Sequence, residues 1–387
     1  MDNKNNKIIK ITALIFMTMI LSAVCESIRG IFVPTFQENF NVNDHQIAYI
    51  FSIGSIGYIL FTYIGGILCE KIGQKKVILL GFMFLLISLT GFYFTHKYIG
   101  LLIYMFIMNM GVSLCTIAIN TLVPILFISF QALFMNFTHF CYGLGLTITQ
   151  RTTGILLYKG VQWRTIYLFI AFLYALLTIA FLFTKIPEPQ KVMDIEEKEK
   201  NDLDKPLIFC YMCALGFYVF AESATQNWFV NFMYKVYDLN EKEGSFYIAL
   251  FFGLFAIGRL IGGFIVDKIG YIKSVLILST VALILYSTGL IMGRKGLIII
   301  SLSGFFFSIT FPTIVVTISK VFKEKSAYIT GIIITVSSLI NTVFNQLIGE
   351  LNRMIGVYNA FYLVPISLII SIIFIYNIYK KTNKILS

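Results

Sequence analysis

Long apolar runs separated by short polar punctuation make up nearly the whole chain. Twelve runs stand out, at about 8–33, 45–69, 77–95, 98–126, 130–157, 163–186, 206–234, 244–266, 274–292, 296–319, 326–350 and 357–379. Each is close to or above the length a helix needs to cross a bilayer, about 20 residues at about 1.5 Å per residue. In hydrocarbon every backbone N–H and C=O must be paired within the structure, and a helix achieves this inside one run. The period-two alternation of a lipid-facing strand is missing. The pattern predicts an all-α membrane protein of twelve transmembrane helices. One long polar stretch, residues 187–205, divides the runs six and six. It reads as a solvated cytoplasmic linker between an N-terminal half (1–186) and a C-terminal half (206–387).

Composition fits this reading. The chain is 58% hydrophobic and 13% charged, with 38 Phe, where a soluble domain carries about 25% charge. The net charge of +11 would suit nucleic acid only if the cations shared a face. They fall between the apolar runs instead, and nucleic acid is not an expected partner. Lys71, Lys75, Lys76, Lys268, Lys273, Lys320, Lys323 and Lys325 weight the loops on the side of the N-terminus. That bias places both termini in the cytoplasm. The Lys, Asn and Ile usage points to a bacterial cytoplasmic membrane. The first run is too long for a cleavable signal peptide. The six cysteines lie in or at the ends of the runs, and no pair forms an extracellular disulfide frame. Cys210-x-x-Cys213 has redox spacing but reads as two small residues of a membrane helix.

An internal repeat sharpens the picture. Gly65-Gly66 is followed by Glu70-Lys71-Ile72-Gly73 and Lys76; Gly262-Gly263 is followed by Asp267-Lys268-Ile269-Gly270 and Lys273. The two strings keep one spacing, 197 residues apart, at matching places in the two halves. Duplicated six-helix halves mark one large class of transporters.

These strings resemble the loop signature of the major facilitator superfamily, G-x-x-x-D-R-x-G-R-K. The first copy carries Glu70 for Asp, and both carry Lys for Arg. Trp163-Arg164 at the start of the sixth run and Gly258-Arg259 before the second copy are similar too. The resemblance covers the chain and implies two pseudo-symmetric bundles that alternate access to a central cavity bordered by helices one, four, five, seven, ten and eleven. It further implies a conformational latch at Gly66, Glu70, Gly73 and Lys75, and at Arg259, Gly263, Asp267 and Gly270. A narrower resemblance rests on Asn136-x-x-His139-x-x-x-Gly143-x-Gly145, on Phe217-Tyr218 with Glu222 and Trp228, and on Phe311-Pro312. These look like motifs of the fucose/glucose–proton symporter family. Thr149 and Gln150 stand where Gly-Pro often continues the fifth helix, which weakens an antiporter reading. The acid that such permeases often carry in helix four is missing, with Thr116 near that place.

Charges inside the runs are the candidate chemistry, since each costs about 2.5–3.5 kcal/mol at mid-bilayer. Glu26 and Arg29 lie in the first run, Arg151 in the fifth and Glu222 in the seventh. Shifted by the repeat, Glu26 falls one residue from Glu222. Arg259 and Glu350 lie nearer the ends of their runs. Three readings stand side by side. Glu26 with Arg29, and Arg151 with Glu222, neutralise each other. Or Glu222 or Glu26 is the proton-coupling site. Or Arg29 or Arg151 binds a carboxylate or phosphate of an anionic solute. Asn120, Asn136, His139, Gln150, Gln226, Asn341 and Asn345 follow polar faces of cavity helices. They suit a solute rich in hydroxyls or hydrogen bonds between helices.

The expected activity is secondary transport, not enzymatic: proton-coupled uptake of a sugar or similar small polar solute by a monomer in the lipid bilayer. Sodium could replace the proton. The alternatives are proton-coupled efflux of a drug or amphipathic metabolite, and transport of an organic anion. No metal cluster, cofactor motif or G-x-x-x-x-G-K-[ST] loop is present, so ATP is not the expected energy source.

Overall fold

A computed structural model of the chain describes residues 2–127, 131–184, 186, 204–322 and 326–386; most of the expected linker lies outside them. The described residues hold fifteen α-helices and no strand: α1 Asp2–Ile31, α2 Val33–Phe40, α3 Asp44–Ile72, α4 Gln74–Phe94, α5 Tyr98–Leu126, α6 Gln131–Tyr158, α7 Trp163–Leu182, α8 Lys205–Tyr237, α9 Glu241–Ile269, α10 Tyr271–Ile291, α11 Leu297–Phe307, α12 Thr310–Phe322, α13 Ser326–Ile355, α14 Val357–Ala360 and α15 Leu363–Leu386. Eleven helical stretches among them are long and apolar enough to cross a membrane. The fifth run is the 28-residue α6. It is long enough, but His139, Gln150 and Arg151 lower its apolarity.

Three runs are interrupted where proline dictates. Proline lacks an N–H and its ring crowds the preceding turn. The first run turns at Phe32, and α2 starts with Pro34 in its first turn. The tenth run divides at Ser308–Ile309, just ahead of Pro312, into α11 and α12. The twelfth divides at Phe361–Tyr362, ahead of Pro365, into α14 and α15.

The chain forms two compact units, Met1–Val42 with Tyr49–Lys198 and Asn43–Ala48 with Glu199–Ser387. In the first, α1 packs on α6, and α4 packs on both α5 and α7. Gly81 and Gly111 let α4 and α5 touch backbone to backbone; a Cβ on Gly81 would stand 2.9 Å from the Gly111 carbonyl oxygen. Such small-residue contacts drive helix association in lipid, where no hydrophobic effect acts between helices. Phe32, Phe36, Phe92, Trp163 and Tyr167 form an aromatic core. In the second unit, α8 packs on α13 and α15, and α10 packs on α11 and α15. Its aromatic core is Phe229, Phe232, Tyr286 and Phe361. The first turn of α3 belongs to this unit, with Asp44 accepting from Lys235 Nζ at 2.8 Å.

The repeat runs deeper than the loop motif. Asn43 and Gln46 cap each other reciprocally at the start of α3, both bonds 3.0 Å. Asn240 and Glu243, 197 residues on, do the same at the start of α9. Such capping boxes satisfy N–H groups that the first turn leaves orphaned. Asn41 (φ 50°) and Asp238 (φ 52°) are both left-handed, again at the repeat distance. Gly73 and Gly270 join α3 to α4 and α9 to α10 as single residues, with φ/ψ of 86°/151° and 95°/156°. That region is open essentially to glycine alone, which explains why the glycine of Lys-Ile-Gly recurs.

Candidate functional site

The loop motifs come first. Gly65 and Gly262, the leading glycines, pack against Leu114 and Ile117 of α5 and against Ile309. A Cβ on Gly66 or Gly263 would meet nothing within 4 Å. Glu70 and Asp267 are exposed. Lys75 Nζ donates to the Leu182 carbonyl at the end of α7, 3.1 Å away, where a cation also suits the helix dipole.

In the first unit the charges of α1 are held by neighbouring helices. The Tyr142 hydroxyl of α6 donates to Glu26 Oε2, and Tyr58 of α3 stands near the same carboxylate. Arg29 Nη1 donates to Asn109 Oδ1 of α5 at 3.4 Å, and its guanidinium lies 5.8 Å from the Phe51 ring centre. Asn109 is 2% exposed and spends its amide N–H on the Met105 carbonyl, 2.8 Å away. Its oxygen is thereby aimed at the arginine. Arg29 Nε is buried without a hydrogen-bond partner, so the guanidinium keeps a spare donor. Gln150 of α6 is fully buried, and neither end of its amide has a partner. Asn120 of α5 is partly buried with an unpaired oxygen. His139 and Arg151 are partly buried and each makes a further interaction. The side chain of Asn136 lies outside the described residues.

In the second unit, α8 presents two adjacent polar levels. One ties it to α13. Asn345 Nδ2 donates to Ser223 Oγ at 2.8 Å and to Asn341 Oδ1 at 2.7 Å; Ser223 bonds the same Asn341 oxygen; Asn227 Nδ2 donates to Asn345 Oδ1 at 3.3 Å. Asn341 and Asn345, read from the sequence as solute ligands or interhelical glue, therefore bond α8. Gln226 is partly buried and makes an interaction of its own.

The other level surrounds Glu222, partly buried near the middle of α8. Tyr218, one turn earlier, lies within hydrogen-bond reach of its carboxyl, and Arg259 of α9 acts on it through space. Both neighbours also reach the break between α11 and α12. The Tyr218 hydroxyl donates to the Phe307 carbonyl at 2.7 Å, and Arg259 Nε donates to the Ser308 carbonyl at 3.5 Å. Pro312 has no N–H to give the Ser308 carbonyl, and a buried carbonyl left unpaired costs about 1–3 kcal/mol. Side chains fill the gap. Arg259 also lies over the Phe255 ring, 4.4 Å from its centre.

Sequence reasoning grouped Arg259 with the loop motif and offered Arg151 as the partner of Glu222. The signal lay in the next helix, where Gly258 permits close approach to Phe305 and Ser308. The Asn109–Arg29 contact was equally invisible in the sequence.

Comparison with known proteins agrees with the architecture. A "Protein TsgA homolog" of Buchnera aphidicola subsp. Baizongia pistaciae is 23% identical over 365 residues, covering 93% of this chain and 92% of that protein. The D-xylose-proton symporter overlays with a TM-score of 0.78 at 14% identity, covering 96% of this chain and 97% of that one. A bacterial homolog of the human lysosomal transporter Spinster reaches the same TM-score at 13% identity, covering 97% and 98%. The E. coli fucose:proton symporter reaches 0.64 at 20% identity, covering 96% and 99%. At these identities the overlays establish the fold. The family description "Major Facilitator Superfamily" matches residues 15–345, and the chain belongs to that superfamily of multi-pass membrane transporters.

Proposed function

We propose that this chain imports a sugar or similar small polar solute across a bacterial cytoplasmic membrane by alternating access, driven by protons that bind Glu222. Both termini lie in the cytoplasm in this reading, as the lysine distribution favours. The observation that carries it is Glu222 itself. It is a carboxyl group in the middle of a membrane-spanning helix, beside a tyrosine and within the field of an arginine. A mid-membrane carboxyl needs a reason to be there. A group that moves between a cationic and a neutral setting takes up and releases a proton. The buried amides offer donors and acceptors of the kind a polyhydroxyl solute needs, and two of the overlaid structures are sugar–proton symporters by name.

The test follows external pH in lightly buffered, de-energised cells expressing the protein while sugars are added one at a time, with Glu222→Gln alongside. Alkalinisation with one sugar, lost in the variant, is the expected result. Alkalinisation that survives Glu222→Gln moves the proton site to Glu26 or elsewhere. Silence with every sugar, with the protein folded in the membrane, sinks sugar–proton uptake.

One observation favours a second reading. The spare Nε donor of Arg29 suits an organic anion, because guanidinium binds carboxylate or phosphate in bidentate fashion. Uptake of a carboxylate that Arg29→Lys weakens severely, with no response to neutral sugars, would favour it.

A further inference from the structure

We propose that Tyr218 and Arg259 are positioning residues that link the charge of Glu222 to the break between α11 and α12. The inference rests on the reading of Glu222 as the proton site. The argument is one of counting protons. A tyrosine hydroxyl has one to give. Here it goes to the Phe307 carbonyl at 2.7 Å, so toward Glu222 the phenol oxygen can only accept. A protonated carboxyl can donate to it; a carboxylate cannot. Arg259 is likewise turned to the Ser308 carbonyl and the face of Phe255. The break as it stands therefore matches a protonated Glu222.

Loss of that proton changes both partners. The carboxylate draws the Tyr218 hydroxyl proton and the Arg259 guanidinium toward itself. The carbonyls of Phe307 and Ser308 lose their side-chain donors together. Neighbouring residues at the break, Phe307, Ser308 and Thr310, are 0–1% exposed, so water does not replace those donors without movement. Proton release and rearrangement of the tenth run thus become one event. Two arrangements of a few hydrogen bonds at a helix break make the kind of discrete switch that transport coupling needs.

Other charges do not compete for this role. Of the described elements packed on α8, α9 supplies Arg259, and its Glu241, Lys242, Glu243, Asp267 and Lys268 lie in its first and last turns. On α12, Lys320 lies over the Tyr271 ring. On α13, Glu350 pairs with Arg353 and His45 near the helix end. On α15, Lys380 lies over Tyr376 and Lys381 pairs with Asp204. α14 carries no charge.

The test uses the purified full chain in nanodiscs and two readouts. Infrared absorbance of protonated carboxyl groups, followed against pH, reports Glu222 as the band that Glu222→Gln removes. Hydrogen–deuterium exchange of peptides covering 305–313, corrected for the intrinsic pH dependence, reports the break. In the wild type, exchange should rise about tenfold, the worth of one lost hydrogen bond of this kind, over the pH range in which the band disappears. Tyr218→Phe should keep the band but lose the step in exchange. Arg259→Gln should move the common midpoint upward by about one pH unit, since a lost cation no longer favours the carboxylate, and Arg259→Lys should restore it.

A Glu222 band that titrates while exchange stays flat overturns the linkage and leaves the proton site standing. So does a step in exchange that survives Tyr218→Phe, or a midpoint unmoved by Arg259→Gln if the tyrosine variant fails to fold. No titrating band assignable to Glu222 overturns the proton site itself, and the linkage with it.

Discussion

Glu26 and Glu222 occupy almost the same place in the two repeats, yet they are wired oppositely. At Glu26 the tyrosine comes from another helix and donates to a carboxyl oxygen. At Glu222 the tyrosine is on the same helix and donates to a backbone carbonyl. The cations differ in the same sense. Arg29 is fixed by the side-chain oxygen of Asn109, whereas Arg259 leans on a carbonyl freed by a helix break. The first unit holds its charge still. The second sets its cation against the break between α11 and α12. Duplication supplied two equivalent acids, and the surrounding helices gave them different partners.

The comparison breaks most easily at the acids. Glu222→Gln should reduce proton-driven solute accumulation to the level of cells lacking the protein. Glu26→Gln should cost about tenfold or less, the worth of one charge-assisted hydrogen bond of about 1.5 kcal/mol. Equal losses in the two variants, measured as initial uptake rates at matched expression, would erase the distinction.

Asn109→Leu comes next, because it leaves a membrane-buried guanidinium without the Asn109 oxygen it donates to. A fall of about 1.5–3 kcal/mol in stability is expected, read as a lower thermal unfolding midpoint of the solubilised protein. Asn109→Asp should retain more of it.

The loop glycines test where the halves are alike. Gly73→Ala and Gly270→Ala should each cost about 1–3 kcal/mol, since both backbones lie in the glycine-only region. Gly66→Ala and Gly263→Ala should leave thermal stability nearly unchanged, because a Cβ there meets no atom of the protein within 4 Å. If they instead block transport, these positions serve the moving interface that the loop signature implies.

A small loss of stability is expected at Asn345→Ala, about 0.6 kcal/mol and at most about 1.7 kcal/mol, the range for polar contacts between membrane helices. Loss of uptake without loss of stability would return Asn345 to the solute site.

Much of the architecture was legible in the residues. Runs of about 20 apolar residues fix the helices because lipid offers the backbone no other partner. Duplication was visible in Gly-Gly, acid and Lys-Ile-Gly because one backbone conformation at Gly73 and Gly270 permits no other side chain. The matched caps at Asn43 and Asn240 were equally present in the sequence, but a short polar motif at a helix start is hard to see without its neighbours. Pro34, Pro312 and Pro365 stood within or just after their runs, and only the folded chain revealed that each marks a division.

What the sequence by itself determined is local: that the apolar runs are helical, that one glycine-bearing motif recurs at a fixed spacing, and that four charges lie in apolar runs. Only the tertiary structure decided what those charges meet. Which helix brings Tyr142 to Glu26, Asn109 to Arg29 or Arg259 toward Glu222 depends on packing between segments from 37 to 116 residues apart in the chain. No local pattern records such contacts, because the energy that selects them comes from the fit of whole helices and not from the residues beside each charge.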